Sequence, residues 1–345
     1  MARFIKKLLI TLLVLALALA AWRLADLGML LFGAVLISIG LRRAAESLGR
    51  RARIGTAAGL ALVVLLFVAA LAASLTFFGT VAAGQFNELV QQVPQGLRIA
   101  LAWLQAQPYG PYVLAQARGI APAELTSAAG RAVTLGMQVV ASTLGYGILT
   151  FLVAIYLAAQ PQLYRQLCLR LVPPAHRATA DRLLERTGDV LLHWLLGQFI
   201  VMLIIGSLSG LGLWALGIEA PFALGLVGGL LTFIPYFGAV LAAVPATLVA
   251  LTQGPLNAVL VIAMYAGVHF IEGNFVTPIV QAEATSLPPV LSLLSTVAFS
   301  ILFGLSAVLL ATPLTLFLLV AMELLYVGGT LGGTAKTAER LVDVH

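Results

Sequence analysis

His269, Glu272 and Asn274 stand together in Val268-His269-Phe270-Ile271-Glu272-Gly273-Asn274-Phe275-Val276-Thr277-Pro278, near the end of an otherwise apolar run. A carboxylate facing lipid at mid-bilayer costs ~2.5–3.5 kcal/mol, so Glu272 is expected to face protein or an aqueous cavity. His269 lies one helical turn earlier and can share its face. Two readings of the cluster stay open. A carboxylate held in such a place can load and release protons or bind a cation. Alternatively, Glu272 is a hydrogen-bonded brace where Asn274 and Pro278 interrupt the helix.

A second constellation is Pro235-Tyr236-Phe237-Gly238. Proline frees a helix carbonyl and the following glycine lets the backbone turn, and freed carbonyls can coordinate a cation or a polar solute. A kink without a ligand is the structural alternative. Gly304 and Pro313 interrupt a later apolar stretch in the same manner. Tyr236, Pro235, Gly238, Glu272, Asn274, His269, Gly304 and Pro313 are therefore the candidate pathway residues. Glu219, Asp26 and Glu323 fall near span ends, where a charged head reaches the interface. Ser207 and Ser209 lack the glycine spacing of a nucleophile motif and a paired base, and no enzyme is expected. Gly206-x-x-x-Gly210, extended by Gly212 and Gly217, and Gly225-x-x-x-Gly229 permit close helix packing. His176, His193 and His345 are scattered, and the single Cys168 excludes an internal disulfide or a cysteine-built metal site. No cofactor or metal is expected.

Membrane helices must carry these residues, because 61% hydrophobic and 9% charged residues with a mean hydropathy of +1.06 do not describe a soluble chain of 345 residues. Spans are expected at roughly 8–22, 27–41, 56–79, 133–159, 191–217, a broken 220–252, 256–276 and a broken 289–326. The two broken stretches are each too long for one crossing of a ~30 Å hydrocarbon core, so each must break or turn back. Paired interrupted segments mark a transport pathway. The fold class is thus all-α: a polytopic membrane protein of about eight transmembrane units, two of them broken or re-entrant, plus an amphipathic extracytoplasmic helical segment.

Lys6-Lys7, an apolar run and Ala18-Leu19-Ala20 imitate a secretory signal. Apolar character resumes from Leu27 to Leu41, so the expectation is a retained first helix in a close hairpin, with Arg23 and Asp26 at its turn. The net charge of +6 sits in short blocks beside apolar segments, which suits membrane lipid and orientation, not nucleic acid. Arg42, Arg43, Arg50, Arg51 and Arg53 crowd one loop; Arg165, Arg170, Arg177, Arg182 and Arg186 crowd another. Both are expected to be cytoplasmic, with both termini.

The chain accordingly divides into 1–79, N-terminal spans; 80–131, an extracytoplasmic amphipathic segment; 132–160, one span; 161–190, a cytoplasmic amphipathic segment; 191–327, the broken-helix core; and 328–345, a cytoplasmic tail. In 80–131, Phe86, Leu89, Val90 and Val93 recur at helical spacing, as do Leu97, Ala100, Leu101 and Leu104, with Pro94, Pro108, Pro111 and Pro122 dividing it. It is expected to lie on the membrane surface or against neighbouring subunits, or to be a mere connector. In 161–190, Asp181, Glu185 and Asp189 interleave with Arg182 and Arg186 at helix-pair spacings, as on a solvated face.

Leu196-Gly197-Gln198, the passage from Leu216-Gly217-Ile218 to Ala223-Leu224, Phe233-Ile234-Pro235-Tyr236-Phe237-Gly238, Ile271-Glu272-Gly273-Asn274 with Pro278, Leu287-Pro288, Leu302-Phe303-Gly304 and Ala311-Thr312-Pro313-Leu314 together resemble the autoinducer-2 exporter family, the PerM-like permeases. The resemblance covers most of the chain. It departs at His269, where relatives commonly carry glutamine, and at Ala159-Gln160, where an acidic residue often follows the fourth span. It implies a bacterial inner-membrane protein, oligomeric with copies of itself, that moves a small molecule or ion. Among relatives it is linked to quorum-signal export and to sodium/proton antiport. No nucleotide-binding P-loop is present, so an ion gradient is the expected driver of a secondary transporter. A passive channel and a non-transporting membrane scaffold are the alternatives.

Overall fold

The computed structural model describes residues 24–108, 112, 145, 147–234, 237–281 and 288–327. The expected span at 8–22, Pro235 and Tyr236, and the tail at 328–345 lie outside the described residues, as does nearly all of 109–144. The described chain is helical and contains no strand: α1 (Ala25–Ala52), α2 (Thr56–Gln105), α3 (Gly147–Ala159), α4 (Pro161–Arg170), α5 (Arg177–Ala215), α6 (Pro221–Leu231), α7 (Phe237–Gln253), α8 (Pro255–Ile271), α9 (Thr277–Gln281), α10 (Pro289–Phe303) and α11 (Leu305–Met322). A π turn at Glu272–Val276 joins α8 to α9, and another at Glu323–Val327 comes after α11. Five helices are long and apolar enough to cross a membrane, or up to six if the bent pair α3–α4 is one span. The chain is an all-α, polytopic membrane protein.

Two boundaries differ from those expected. Pro94 does not divide the segment after residue 79: α2 runs unbroken for 50 residues with Pro94 inside it, a rod of ~75 Å. Its distal half also covers its own subunit, because Leu89 and Val93 are buried among Leu213, Ala223, Ala246 and Val249. Likewise 161–190 is not separate from the span after it, since α5 is one 39-residue helix from the charged region into the apolar one. The bend comes earlier, where α3 and α4 meet at 87° and Pro161 opens the new helix. Asp181 and Glu185 then pair across to Arg165 of α4, at 2.7 and 3.6 Å, in place of the same-helix partners their spacing suggested.

The centre of the fold is the contact between α5 and α6. Both GxxxG motifs meet there. A Cβ on Gly225 would stand 2.6 Å from the Gly210 Cα, and one on Gly229 would stand 2.8 Å from the Met202 carbonyl oxygen. Only hydrogen at these positions lets the two backbones touch, and such contact replaces the hydrophobic drive that lipid does not supply. Leu213 of α5 is wholly buried beside it with Ala223 and Leu224 of α6.

The first broken stretch turns back on itself. The Ala223 N–H at the start of α6 donates to Gln85 Oε1 over 2.8 Å, whereas Leu248 near the end of α7 packs backbone to backbone on Gly96. Gln85 and Gly96 are only ~16 Å apart along α2, but a chain continuing one way from 223 to 248 would travel ~37 Å. Hence α6 and α7 form a re-entrant hairpin, turning back between Leu231 and Phe237. The break falls just before Phe237, and Gly238 sits in the first turn of α7, pressed so closely on the Leu231 carbonyl that no side chain fits. The second broken stretch reverses at Gly304, whose φ of 77° and ψ of −162° suit glycine, and α10 packs alongside α11.

Gln85 also acts as a cap. Ala220, the residue before α6, offers no side-chain acceptor, and the Gln85 side chain meets one of the free amides of the first turn from another helix. Gln85→Ala should lower stability by ~1 kcal/mol, read as an earlier thermal melt of the detergent-solubilised protein. Gly225→Val forces the α5–α6 backbones apart and should cost ~1–3 kcal/mol or more. Gly267→Ala has nothing within 4 Å of the added methyl, and its melt should not fall.

Candidate functional site

The π turn defines the site. By inserting one residue into α8 it rotates the helix beyond it, and turns of this kind recur at functional positions. His269 Nδ1 and Glu272 Oε2 are 2.6 Å apart, with both side chains about one-fifth exposed. Asn274 Nδ2 donates to the Phe270 carbonyl at 2.8 Å, satisfying an acceptor beside the widened turn. The cluster read from sequence thus separates into an acid–base pair, His269–Glu272, and a brace, Asn274.

Charge isolates the pair. From Trp194 to Val268 the sequence holds one ionisable residue of the Asp, Glu, Lys, Arg and His types, Glu219, which lies in the turn between α5 and α6. None occurs from Pro289 to Met322. Among the described residues, α5 beyond Trp194, α8 and α9 bring no Lys or Arg to the pair.

A groove of about 480 Å³ runs between α7 and α8, lined by Ala239, Val240, Ala243, Val244, Leu248 and Ile262, with Tyr265 and His269 among its few polar residues. Tyr265 and His269 stack with ring centroids 6.0 Å apart. The other candidate residues lie elsewhere. Gly238 packs at the base of α7, Gly304 makes the α10–α11 turn, and Pro313 is buried within α11. The helices α10 and α11 pack on one another, and α11 also on α5 and α1, whereas the π turn packs on α9 and α5. Tyr236 and Pro235 fall outside the described residues.

The tip of the first hairpin does approach α11. Phe233 meets Trp194 edge-on at 5.6 Å, and both belong to a cluster with Leu310 and Leu316. Beside it, buried Gln198 donates from Nε2 to the Thr232 carbonyl at 3.1 Å, satisfying an acceptor that the end of α6 leaves free. In the sequence Gln198 stands out only within a family motif. Its one further signal there is a polar amide inside an apolar helix.

Comparison with known proteins agrees with this architecture. The model of the AI-2E family transporter matches residues 9–326. YrrI of Bacillus subtilis (strain 168), a provisionally named transport protein, is 34% identical over 168 residues, 48% of this chain and 47% of that protein. The AI-2 transport protein TqsA of Escherichia coli (strain K12) is 30% identical over 141 residues, 41% of each chain. These matches span less than half the length of either relative. With the family model covering nearly all the described helices, the chain belongs to the AI-2E family of transporters and is a multi-pass membrane protein.

Proposed function

We propose that the protein is a secondary transporter of a small solute, driven by a proton gradient, with His269–Glu272 as the proton-carrying pair. The observation that carries this reading is the 2.6 Å pair itself, the one acid–base couple among the described residues on membrane-embedded helices whose sequence is otherwise almost free of charge. A proton suits it better than sodium, because Glu272 is met by an imidazole nitrogen, and a hard cation prefers a shell of oxygens. TqsA is named as an AI-2 transport protein, so autoinducer-2 is the first solute to try. A bacterial inner-membrane location with both termini cytoplasmic is part of the reading, supported by the arginine blocks at 42–53 and 165–186. So is assembly with copies of itself, for which the exposed Ile99 and Trp103 on the distal part of α2 provide an apolar face.

The test is reconstitution in liposomes, with autoinducer-2 flux measured under an imposed pH gradient. The wild type should accumulate solute. Glu272→Gln, which keeps size and hydrogen bonding, should reduce gradient-driven flux by at least about tenfold, ~1.4 kcal/mol in barrier, while its melt stays within ~1 kcal/mol of wild type. Flux without accumulation would identify a passive channel, and no flux across a panel of solutes would favour a scaffold. A well-folded Glu272→Gln variant with unchanged flux and pH dependence would make the pair a structural brace.

A further inference from the structure

Leu163, Leu167 and Leu171 recur every fourth residue along α4 and the position that ends it, forming a single stripe ~80° wide. They are 47%, 47% and 88% exposed. Tyr164 and Arg170 flank the stripe. Arg165 lies on the opposite face of the helix, where its guanidinium reaches Asp181 and Glu185 of α5, and the partly buried Leu169 shares that side. Arg177 Nε, donating to the Val172 carbonyl over 3.1 Å, closes the turn between the two helices. Thus α4 is held to α5 by one face and turns its leucines the other way.

The neighbouring helices set the direction of that face. From Gly147 to Ala159, α3 carries no charge, whereas α4 holds Arg165, Arg170, Gln162 and Gln166 within 10 residues. A helix of ~15 Å with that content does not complete a crossing, so α3 ends at a bilayer surface. The 87° bend at this point lays α4 along the surface. Asp189 is the last carboxylate of α5, and Asp181 precedes it by ~12 Å of helix, so the ion pairs with Arg165 stand on the aqueous side. The opposite face of α4 therefore points at lipid. Arg170 has no ion-pair partner among the described residues and borders the stripe, where anionic headgroups lie. Three leucine side chains offer far less than the ~800 Å² per partner that a stable protein interface buries, which favours lipid over a second copy.

We propose that α4 is an interfacial helix: it lies in the lipid–water boundary of the leaflet in which α3 ends, with Leu163, Leu167 and Leu171 among the acyl chains and Arg170 at the phosphates. Leucines on the lipid side, a tyrosine and an arginine at the margins and ion pairs on the water side are the arrangement by which an amphipathic helix binds a membrane surface. Through Arg165 the lipid surface then holds the charged end of α5, the helix on which the re-entrant segment is seated. The proposal does not depend on the solute or on the coupling ion.

The full-length protein in vesicles of phosphatidylcholine and phosphatidylglycerol tests it. Cys168 is the single cysteine, so in a Cys168→Ser background a nitroxide label is attached at one new position at a time: Leu163→Cys, Leu167→Cys, Leu171→Cys or Gln162→Cys. Collisions of the label with oxygen, which partitions into lipid, are compared with collisions with a water-soluble nickel chelate. The three leucine positions should favour oxygen and Gln162 the chelate, a reversal of the collision ratio within one turn of helix. Collisions favouring the chelate at all three leucine positions overturn the proposal. Low access to both reagents there also overturns it, because protein then covers the stripe. A cryo-EM map of the wild type in nanodiscs of the same lipids needs no substitution and decides the case even where a labelled chain does not fold. Density for α4 within the headgroup layer, leucines toward the disc, is expected; α4 standing clear of the disc overturns the assignment.

Discussion

In lipid a helix gains nothing by hiding its leucines from water, so helices of this chain associate through backbone contact and satisfied polar groups. The glycine contact between α5 and α6 meets that requirement. Gly206 and Gly210 face Gly225 and Gly229, and a side chain at Gly225 or Gly229 would separate the two helices. That contact holds α6, an 11-residue helix too short to cross the bilayer, deep in the protein. Without it the carbonyls at the end of α6 would meet lipid. In place, they meet Gln198 and the hydroxyl of Thr232, which donates to the Gly228 carbonyl at 2.9 Å.

The distal half of α2 secures the hairpin from its base. Gln85 caps α6, Gln92 engages Glu219 in the turn before it, and Gly96 receives Leu248 of α7. Three points along one helix therefore fix both legs of the re-entrant segment. A helix that extends ~75 Å has reach well beyond one hydrocarbon core, and the excess is what grips the hairpin.

The same frame sets the electrostatics of the site. The π turn widens α8 where His269 and Glu272 meet, and neither α9 nor the part of α5 beyond Trp194 brings a Lys or Arg. Hydrophobic neighbours such as Val201, Ile205 and Val268 hold these elements together near the pair. An acid–base pair in an otherwise apolar frame is the feature on which the proposed coupling rests.

Composition and periodicity determined much on their own. Membrane residence, the placement of the described spans, and the interruption of two long stretches all come from apolar run length against bilayer thickness and from where glycine and proline fall. The His269–Glu272 pair was also legible, because residues three apart on a helix share a face whatever the tertiary fold. Spacing of the charged residues at 181–189 did not identify their partner, since Arg165 arrives through a bend at residue 160 that pairwise helical spacing does not encode. Pro94 marks a division only if the helix lacks support from outside, and α7 and α6 supply that support. Most of all, only the tertiary structure brought Ser209, Gly228 and Tyr265 to one point. They lie on three helices, and each alone reads as an ordinary packing residue; their juxtaposition arises only when those helices meet.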